Sequence, residues 1–469
     1  MVIGGGLSGL HTALRLAERG FGVCMLESAS TVGGRVRTAF EEGGRVSYEA
    51  GAWRVDVTHS RVRALFRRFE VPLVPAPTAT VLGSGAPLPH GPAPAHLSVG
   101  LTDWGRDALA HGVEGADLLD VRAGYAGASD SAHGSNPHGA VGPFLVAPDG
   151  FSRLVQRLYE AVVAAGVDVR LNARVVGLAP AAAGECRYLV RCRARDGGRF
   201  ADSTIVASHV VLCVPPHVWG EWSILRTHAR SLLSAVDAEA LQHIYVRGVG
   251  GEGEGGGVGS SWVSPDLGQV VASQYPHSGW WQVSYASGRV ARMWRDYAMQ
   301  DEGGFLARIQ RLARAVTGLP APSKVSRHFW YFAFHKWKAV PNFDLERAVK
   351  ESIRVNPVRL AGVLCAGEAF SSHQGWMEGA LETSEMVVAS LPQGAGRTTR
   401  ETPPPAAQAS ECTVYVEGRR MDVCGFAKVH PGGAAALRNH GGEHLDEYMM
   451  HVGHSPYAWA IVHSLKRSD

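Results

Sequence analysis

A chain of 469 residues has room for two or three domains, and 45% apolar with 19% charged residues is ordinary for a globular protein. The formal charge of +3 and the lack of a long Lys/Arg block give no support for a nucleic-acid partner. The seven scattered cysteines form no C-x-x-C pair, and no apolar run is long enough to span a bilayer, so the expectation is a reduced, intracellular, soluble and cytoplasmic chain without a membrane span.

The chain opens with a short apolar strand, "MVI", followed by "GGGLSGLHTALRLAERG" at helical spacing and a second strand, "FGVCMLE". This is a β-α-β unit whose first strand is brief, as if the gene product began upstream. In "GGGLSG", Gly4, Gly6 and Gly9 have the G-x-G-x-x-G spacing between strand and helix, which lets a pyrophosphate approach the helix N-terminus. Alone, this pattern fits a plain turn equally well in so Gly-rich a chain. Glu27, 18 residues beyond Gly9, stands where an acid holds a ribose hydroxyl pair, and Gly33, Gly34 and Arg35 in "TVGGRVRT" add backbone and a charged donor for phosphate. Together they point to a dinucleotide site.

Residues from about 60 to 145 are rich in Pro, Gly and His and suggest an inserted cap. "DGFSRLVQRLYEAVVAAG" predicts an amphipathic helix, and "VDVRLNARVVGLAP" and "CRYLVRCRARDGGRFADSTIVASHVVLCVPP" predict strands with a turn at "DGG". Strands and helices alternate from about 220 to 345, interrupted by the loose tract "GGEGEGGGVGSS". "VLCAGEAF" predicts a strand leading into the helix "WMEGALETSEMVVASL", after which "PQGAGRTTRETPPPAAQAS" has linker composition.

These motifs, in this order, resemble the flavin-containing amine oxidase family of monoamine, polyamine and L-amino-acid oxidases over about residues 1–393. The G-G-R after the acidic strand end resembles that of the FAD-binding branch, and "YEAGAWRV", with Gly51, Ala52, Trp53 and Arg54, resembles the segment lining the isoalloxazine. By the same resemblance Val175 meets the adenine through its backbone, and "VVLCVPP" is the sheet strand before the substrate domain. In "CAGEAFSSHQGWMEGALETS", Gly367 and Glu368 then lie at the ribityl–phosphate end, while Gln374, Gly375, Trp376 and Met377 pass the flavin ring.

The resemblance implies hydride loss from a C–H next to nitrogen in a small amine or amino acid. Trp376 takes the place of one wall of an aromatic cage; Trp337 is the candidate for the other, against the plain alternative of a core tryptophan. The family's active-site lysine is replaced by His243 in "LQHIYVRG", which fits either a water-holding group titrating near neutrality or a packed strand histidine. Strand alternation in "HFWYFAFHKWK" puts Phe329, Tyr331, Ala333, His335 and Trp337 on one face, so His335 shares Trp337's pocket or else is a surface histidine. "KWKAVPNFD" lacks the linking cysteine of monoamine oxidases, so the expected FAD is non-covalent.

A separate module begins near residue 411. His430 in "VHPGG" and His454 in "VGHS" each sit in a turn signature, with short helical stretches between them. The segment resembles the cytochrome b5 haem-binding domain, with "TVYVEGRRMDVCGFAKVHPGG" as its strand, turn and strand, and with His430 and His454 as axial ligands of haem b. The module is trimmed relative to that family. A metal site among His430, His440, His444, His451, His454 and His463, or a merely solvated cluster, are the competing readings.

The expected fold is α/β: a Rossmann-like FAD-binding domain (1–60, 146–220 and 346–393), a discontinuous α+β substrate domain (61–145 and 221–345) of the amine oxidase fold, a Pro-rich linker (394–410) and a small α+β cytochrome b5-like domain (411–469). The expected activity is FAD-dependent oxidation of an amine or L-amino acid, with O2 or haem as electron acceptor. Alternatives are a flavin-dependent desaturase or isomerase of an apolar substrate, and a catalytically silent flavin-haem electron-transfer protein.

Overall fold

The computed structural model describes residues 1–41, 44–76, 80–82, 144–181, 188–196, 199–248, 260–264, 268–272, 278–317, 322–338, 343–392, 401–402, 413–416 and 419–422. At its centre, the strands Val2–Ile3, Cys24–Leu26, Asp168–Arg170, Val210–Leu212 and Val363–Cys365 form a parallel sheet. Its order runs from Val363–Cys365 through Val210–Leu212, Val2–Ile3 and Cys24–Leu26 to Asp168–Arg170, so the first residues of the chain form the middle strand. Four of these strands are apolar and buried throughout, as a parallel sheet covered on both faces requires; the edge strand Asp168–Arg170 buries less and carries two charges.

The helix Leu7–Glu18 packs between the helices Phe151–Ala164 and Met377–Ser390. Its small residues Ser8, Gly9, Thr12 and Ala13 are buried and allow that close approach. Two polar contacts tie it to the last helix: His11 Nδ1 lies 2.8 Å and Thr12 Oγ1 2.7 Å from the Ser384 hydroxyl. Arg19 donates to the Val388 carbonyl and, at 2.8 Å, to that of Leu391, satisfying carbonyls that the helix end leaves open.

The helix Ser60–Arg68, expected in the cap, buries Val62, Leu65 and Phe66 in this same core. Its N-terminus is held by Glu378 from the last helix, which accepts from the backbone N–H groups of Val62 (2.9 Å) and Arg61 (3.1 Å) and from the Arg61 guanidinium (3.2 Å).

The stretch read as one strand in "VDVRLNARVVGLAP" is two. After Asp168–Arg170, Asn172 takes a left-handed backbone (φ 54°) and the chain turns into Ala173–Pro180, which belongs to a different, antiparallel sheet with Tyr188–Asp196 and Arg199–Ala207. Glu401–Thr402 joins the edge of that sheet, Thr402 opposite Thr204, so the presumed coil linker contains a strand.

The six-stranded sheet that follows is mostly antiparallel and centred on the long strand Val236–Gly248, flanked by Pro322–Trp337 and Trp280–Ser287. The helices Gly288–Gln300 and Glu302–Thr317 cover one face of it, over Trp294, Phe305 and Ile309. Between Glu239 and Leu241 the pairing slips, so that Glu239 faces Phe334 while Leu241 faces Trp330. The face expected to carry Phe329, Tyr331, His335 and Trp337 meets two different cores along this long strand. Phe329 and Tyr331 join the helix-covered core; Trp337 joins the core on the other side of the molecule, against the parallel sheet.

Replacing Glu378 by Ala leaves the N–H groups of Arg61 and Val62 at the helix N-terminus without their acceptor, while the Arg61 guanidinium keeps Glu385, and is expected to destabilise the protein by roughly 1–2 kcal/mol, the Gln variant by less. Denaturant unfolding checks this. An Ala variant as stable as the parent would show that the carboxylate does not hold the helix.

Candidate functional site

The two glycine motifs meet at the carboxyl ends of the central strands. Gly33 N–H donates to the Gly5 carbonyl at 2.9 Å, and Gly6 bridges Gly33. Gly9 is required by close packing, since a Cβ there would lie 1.9 Å from the Gly4 carbonyl oxygen, whereas one on Gly6 would meet no atom within 4 Å. Gly33 and Gly34 adopt φ of 117° and 57°, conformations that side chains rarely allow. The helix from Leu7 has no side-chain cap, so its free N–H groups face the open side of Gly6. Glu27, directly beyond its strand, accepts from Gly5 N–H at 2.6 Å and Ala29 N–H at 2.8 Å, which fixes its carboxylate beside the first turn. This bare, donor-rich cradle with an acid at its rim fits the phosphates and ribose of a dinucleotide.

Arg35 leads from the cradle to the C-terminal motif. Its Nη1 donates to Glu368 Oε1 and to the Ala333 carbonyl, both at 2.7 Å. His335 Nδ1 lies 2.7 Å from the same oxygen, while Oε2 of Glu368 accepts from the N–H groups of Gly375 (2.9 Å) and His335 (3.3 Å). Burial pushes the Glu368 carboxyl up, but Arg35, His335 and the Gly375 N–H outweigh it and hold the group far below the usual carboxylate range. Gly367 donates its N–H to Thr383 at 2.8 Å, and Gln374 spends its amide on the Ala369 carbonyl (2.5 Å) and the Trp337 N–H (2.7 Å).

The segment Gly51–Arg54 is fastened beside Arg35, with Ala52 N–H on the Arg35 carbonyl at 3.0 Å and no room for a side chain on Gly51. Arg54 is buried, its guanidinium 4.1 Å from the Phe144 ring centre, 4.8 Å from that of Trp53 and 5.6 Å from that of Trp376. Trp376 also meets the His59 ring edge-on at 4.9 Å, and Met377 beside it is buried.

Trp337 is elsewhere. Its indole N–H donates to the Ser371 carbonyl at 3.0 Å and its ring packs on Phe370 and Phe343. Of the two readings of Trp337, this packing is that of a core tryptophan; His335 is turned to Glu368, and the rings packed against Trp376 are those of Phe144 and His59.

His243 is completely buried behind the Glu49–Arg54 segment. Its Nδ1 lies 3.0 Å from the Tyr245 hydroxyl and 3.1 Å from the Gln282 amide; Tyr245 in turn donates to the Glu49 carbonyl at 2.5 Å. Its ring meets Tyr285 edge-on at 4.7 Å, and Tyr285 reaches Trp53 at 6.0 Å. Burial drives its pKa down to about 3, which fits the packed strand histidine of the two readings. Glu49 itself is a buried acid pushed up to about 8 by burial, moderated by the Phe151 N–H and the Thr38 hydroxyl. Tyr245 was within reach of sequence reasoning, two residues from His243 on one strand face. Phe144 and His59 carry no motif, and Glu49 lies in "YEAGAWRV" ahead of the residues that the resemblance singles out.

Val175 is buried at a β-bulge, the pairing slipping between Val175 and Gly177. His430 and His454 lie outside the described residues; of the C-terminal module, the strands Thr413–Val416 and Arg419–Asp422 are described and pair as an antiparallel hairpin. Among the described residues no helix is long and apolar enough to cross a membrane.

Residues 2–69 match the model of an NAD(P)-binding Rossmann-like domain, and residues 106–391 that of flavin containing amine oxidoreductases. Cyclohexylamine oxidase from Brevibacterium oxydans IH-35A is similar in fold, at 16% identity and a TM-score of 0.58, over 83% of this chain and 97% of its own. A putrescine oxidase with putrescine bound gives 17% identity and a TM-score of 0.56 over the same shares. An FAD-dependent oxidoreductase of Monascus ruber is 35% identical over 74 residues, which is 16% of this chain and 16% of that relative. Residues 411–469 lie beyond both family matches.

Because the folded state holds His243 below its ordinary value of 6.5, the stability it lends is complete above that pH and is lost as the pH falls towards about 3. His11 and His328, each held near 4, carry their own share. In His243→Gln the decline in unfolding free energy between about pH 6.5 and pH 4 should be shallower than in the parent. Identical slopes would mean that the ring titrates alike folded and unfolded.

Proposed function

The chain belongs to the flavin containing amine oxidoreductase family, and from that premise we propose that it oxidises a carboxylate-bearing amine of the α-amino-acid class. It is an FAD-dependent oxidoreductase; the identity of the substrate is the proposal. FAD, when bound, supplies the acceptor for the hydride lost from the carbon next to nitrogen. The cradle of Gly4, Gly6, Gly9, Gly33, Gly34 and Glu27 holds the nucleotide half, non-covalently, with the Val175 bulge beside the adenine and Arg35 at the phosphates. Gly51, Ala52, Trp53, Gly375, Trp376 and Met377 border the ring.

The observation that carries the substrate class is Arg54, a cation set against Phe144, Trp53 and Trp376. A purely aromatic enclosure suits an amine or a cationic diamine. A guanidinium carries five N–H donors in a fork that matches a carboxylate and offers nothing to an ammonium group. Trp376 and Phe144 exclude water and favour the neutral amine, whose lone pair hydride loss needs. Neutral His243 orders the back of the pocket through Tyr245 and Glu49 without adding charge.

For residues 411–469 the b5-type reading remains our proposal, supported by the hairpin Thr413–Asp422 that precedes His430 as such a module requires. The strand Glu401–Thr402 is paired to the body, and the residues between 402 and 413 span at most about 35 Å when extended, which keeps a haem within a short leash of the flavin domain. Haem rather than O2 would then take the electrons.

Anaerobic mixing with a panel of amino acids and their decarboxylated amines tests the substrate class. Flavin bleaching by the amino acids is expected, and Arg54→Ala should raise their KM by about a hundredfold while sparing or improving the amines. Bleaching by amines alone, or an equal loss for both sets, would sink the carboxylate reading. The purified protein should also show a Soret band that either His430→Ala or His454→Ala removes; a band unchanged in both variants would refute the ligand pair.

A further inference from the structure

Glu368 is saturated by the protein. A carboxylate has about four acceptor positions, and here they are taken by Arg35, by the ring and backbone N–H of His335, and by the Gly375 N–H. The side chain expected to meet the cofactor directly is therefore an internal strut. What it leaves facing outward is the rest of its own cluster.

Two groups there remain. The Arg35 side chain is 31% exposed. His335 is 1% exposed, its Nδ1 committed to Glu368, yet its Nε2 is buried with no hydrogen-bond partner among the described residues. A buried ring nitrogen left unpaired costs roughly 1–3 kcal/mol, and native proteins rarely tolerate it outside a place where a ligand or water completes the bond. The Nδ1 contact fixes the plane of the ring, so Nε2 points away from the carboxylate with no freedom to search. Arg35 is two residues from Gly33 and next to Gly34, and Gly375 on the other carboxylate oxygen is next to Trp376, so this cluster lies between the phosphate cradle and the Trp376 segment.

We propose that His335 is a cofactor-binding residue: Nδ1–H clamps Glu368 and thereby aims Arg35, while Nε2 accepts a hydrogen bond from a hydroxyl of the polyol stretch of the bound dinucleotide. The inference rests on the FAD reading above. It moves His335 from the substrate pocket to the cofactor and gives it two separable tasks, one for each ring nitrogen.

The two nitrogens are separated by amide substitution. In His335→Asn the amide lies near the Nδ1 position and keeps the clamp, in His335→Gln it reaches the Nε2 position and keeps the outward bond, and His335→Phe removes both. Apoprotein is titrated with FAD, following the quenching of flavin fluorescence, and the visible circular dichroism of the bound flavin is recorded. Relative to the parent, Asn and Gln should each weaken FAD binding about tenfold and Phe about a hundredfold, with altered flavin dichroism in Asn. An Asn variant that binds FAD like the parent, with the same dichroism, would overturn the Nε2 contact. Parent-like binding in all three would overturn any role at the cofactor. Should Phe fail to fold, the comparison of Asn with Gln still decides. A parent protein that binds no FAD would instead remove the premise.

Discussion

Everything in the dinucleotide half of this protein depends on one buried carboxylate finding four donors. Glu368 stands at the end of the last parallel strand, where desolvation alone would keep it protonated. Arg35 comes from the loop after the second strand, His335 from the long strand of the other sheet, and Gly375 from the turn into the final helix. Pairing one carboxylate with groups from two remote segments and from the turn that follows it means that none can shift alone. The slip in pairing opposite Ala240 fits this constraint, because it frees the Ala333 carbonyl to receive Arg35 as well.

The same logic separates two kinds of environment. The glycine cradle offers backbone N–H groups and little else, which suits phosphate and discriminates poorly among nucleotides. Across the Arg54 segment the surroundings turn aromatic, with Trp53, Phe144, Trp376 and Tyr285 around a single guanidinium and with the imidazole of His243 held neutral behind them.

What the sequence reveals is unequal for physical reasons. The cradle is legible because glycine is dictated by local backbone geometry, and the β-α-β period and Glu27 confirm it within about thirty residues. Trp337 was open between cage wall and core because alternation tells which side chains share a face but not which of two cores that face meets along a strand as long as Pro322–Trp337. His243 was open between two roles, since a strand histidine looks the same whether wet or dry; only its complete burial decides the charge. Phe144 and His59 reach Trp376 from a stretch with no periodicity at all. Asn172 shows the reverse case: its tolerance of a left-handed backbone was readable, but the strand pattern on both sides masked it.

The placement of the first strand in the middle of the parallel sheet has a consequence for the birth of the molecule. Val2 and Ile3 pair on one side with Cys24–Leu26 and on the other with Val210–Leu212, which itself waits for Val363–Cys365. The first helix likewise seals against Ser384. A ribosome adding residues one by one thus exposes an apolar β-α-β unit long before its neighbours exist, and the nascent chain carries that sticky surface for most of its synthesis. Chaperone holding during translation, more than any late repair of the finished chain, is where its yield would be decided.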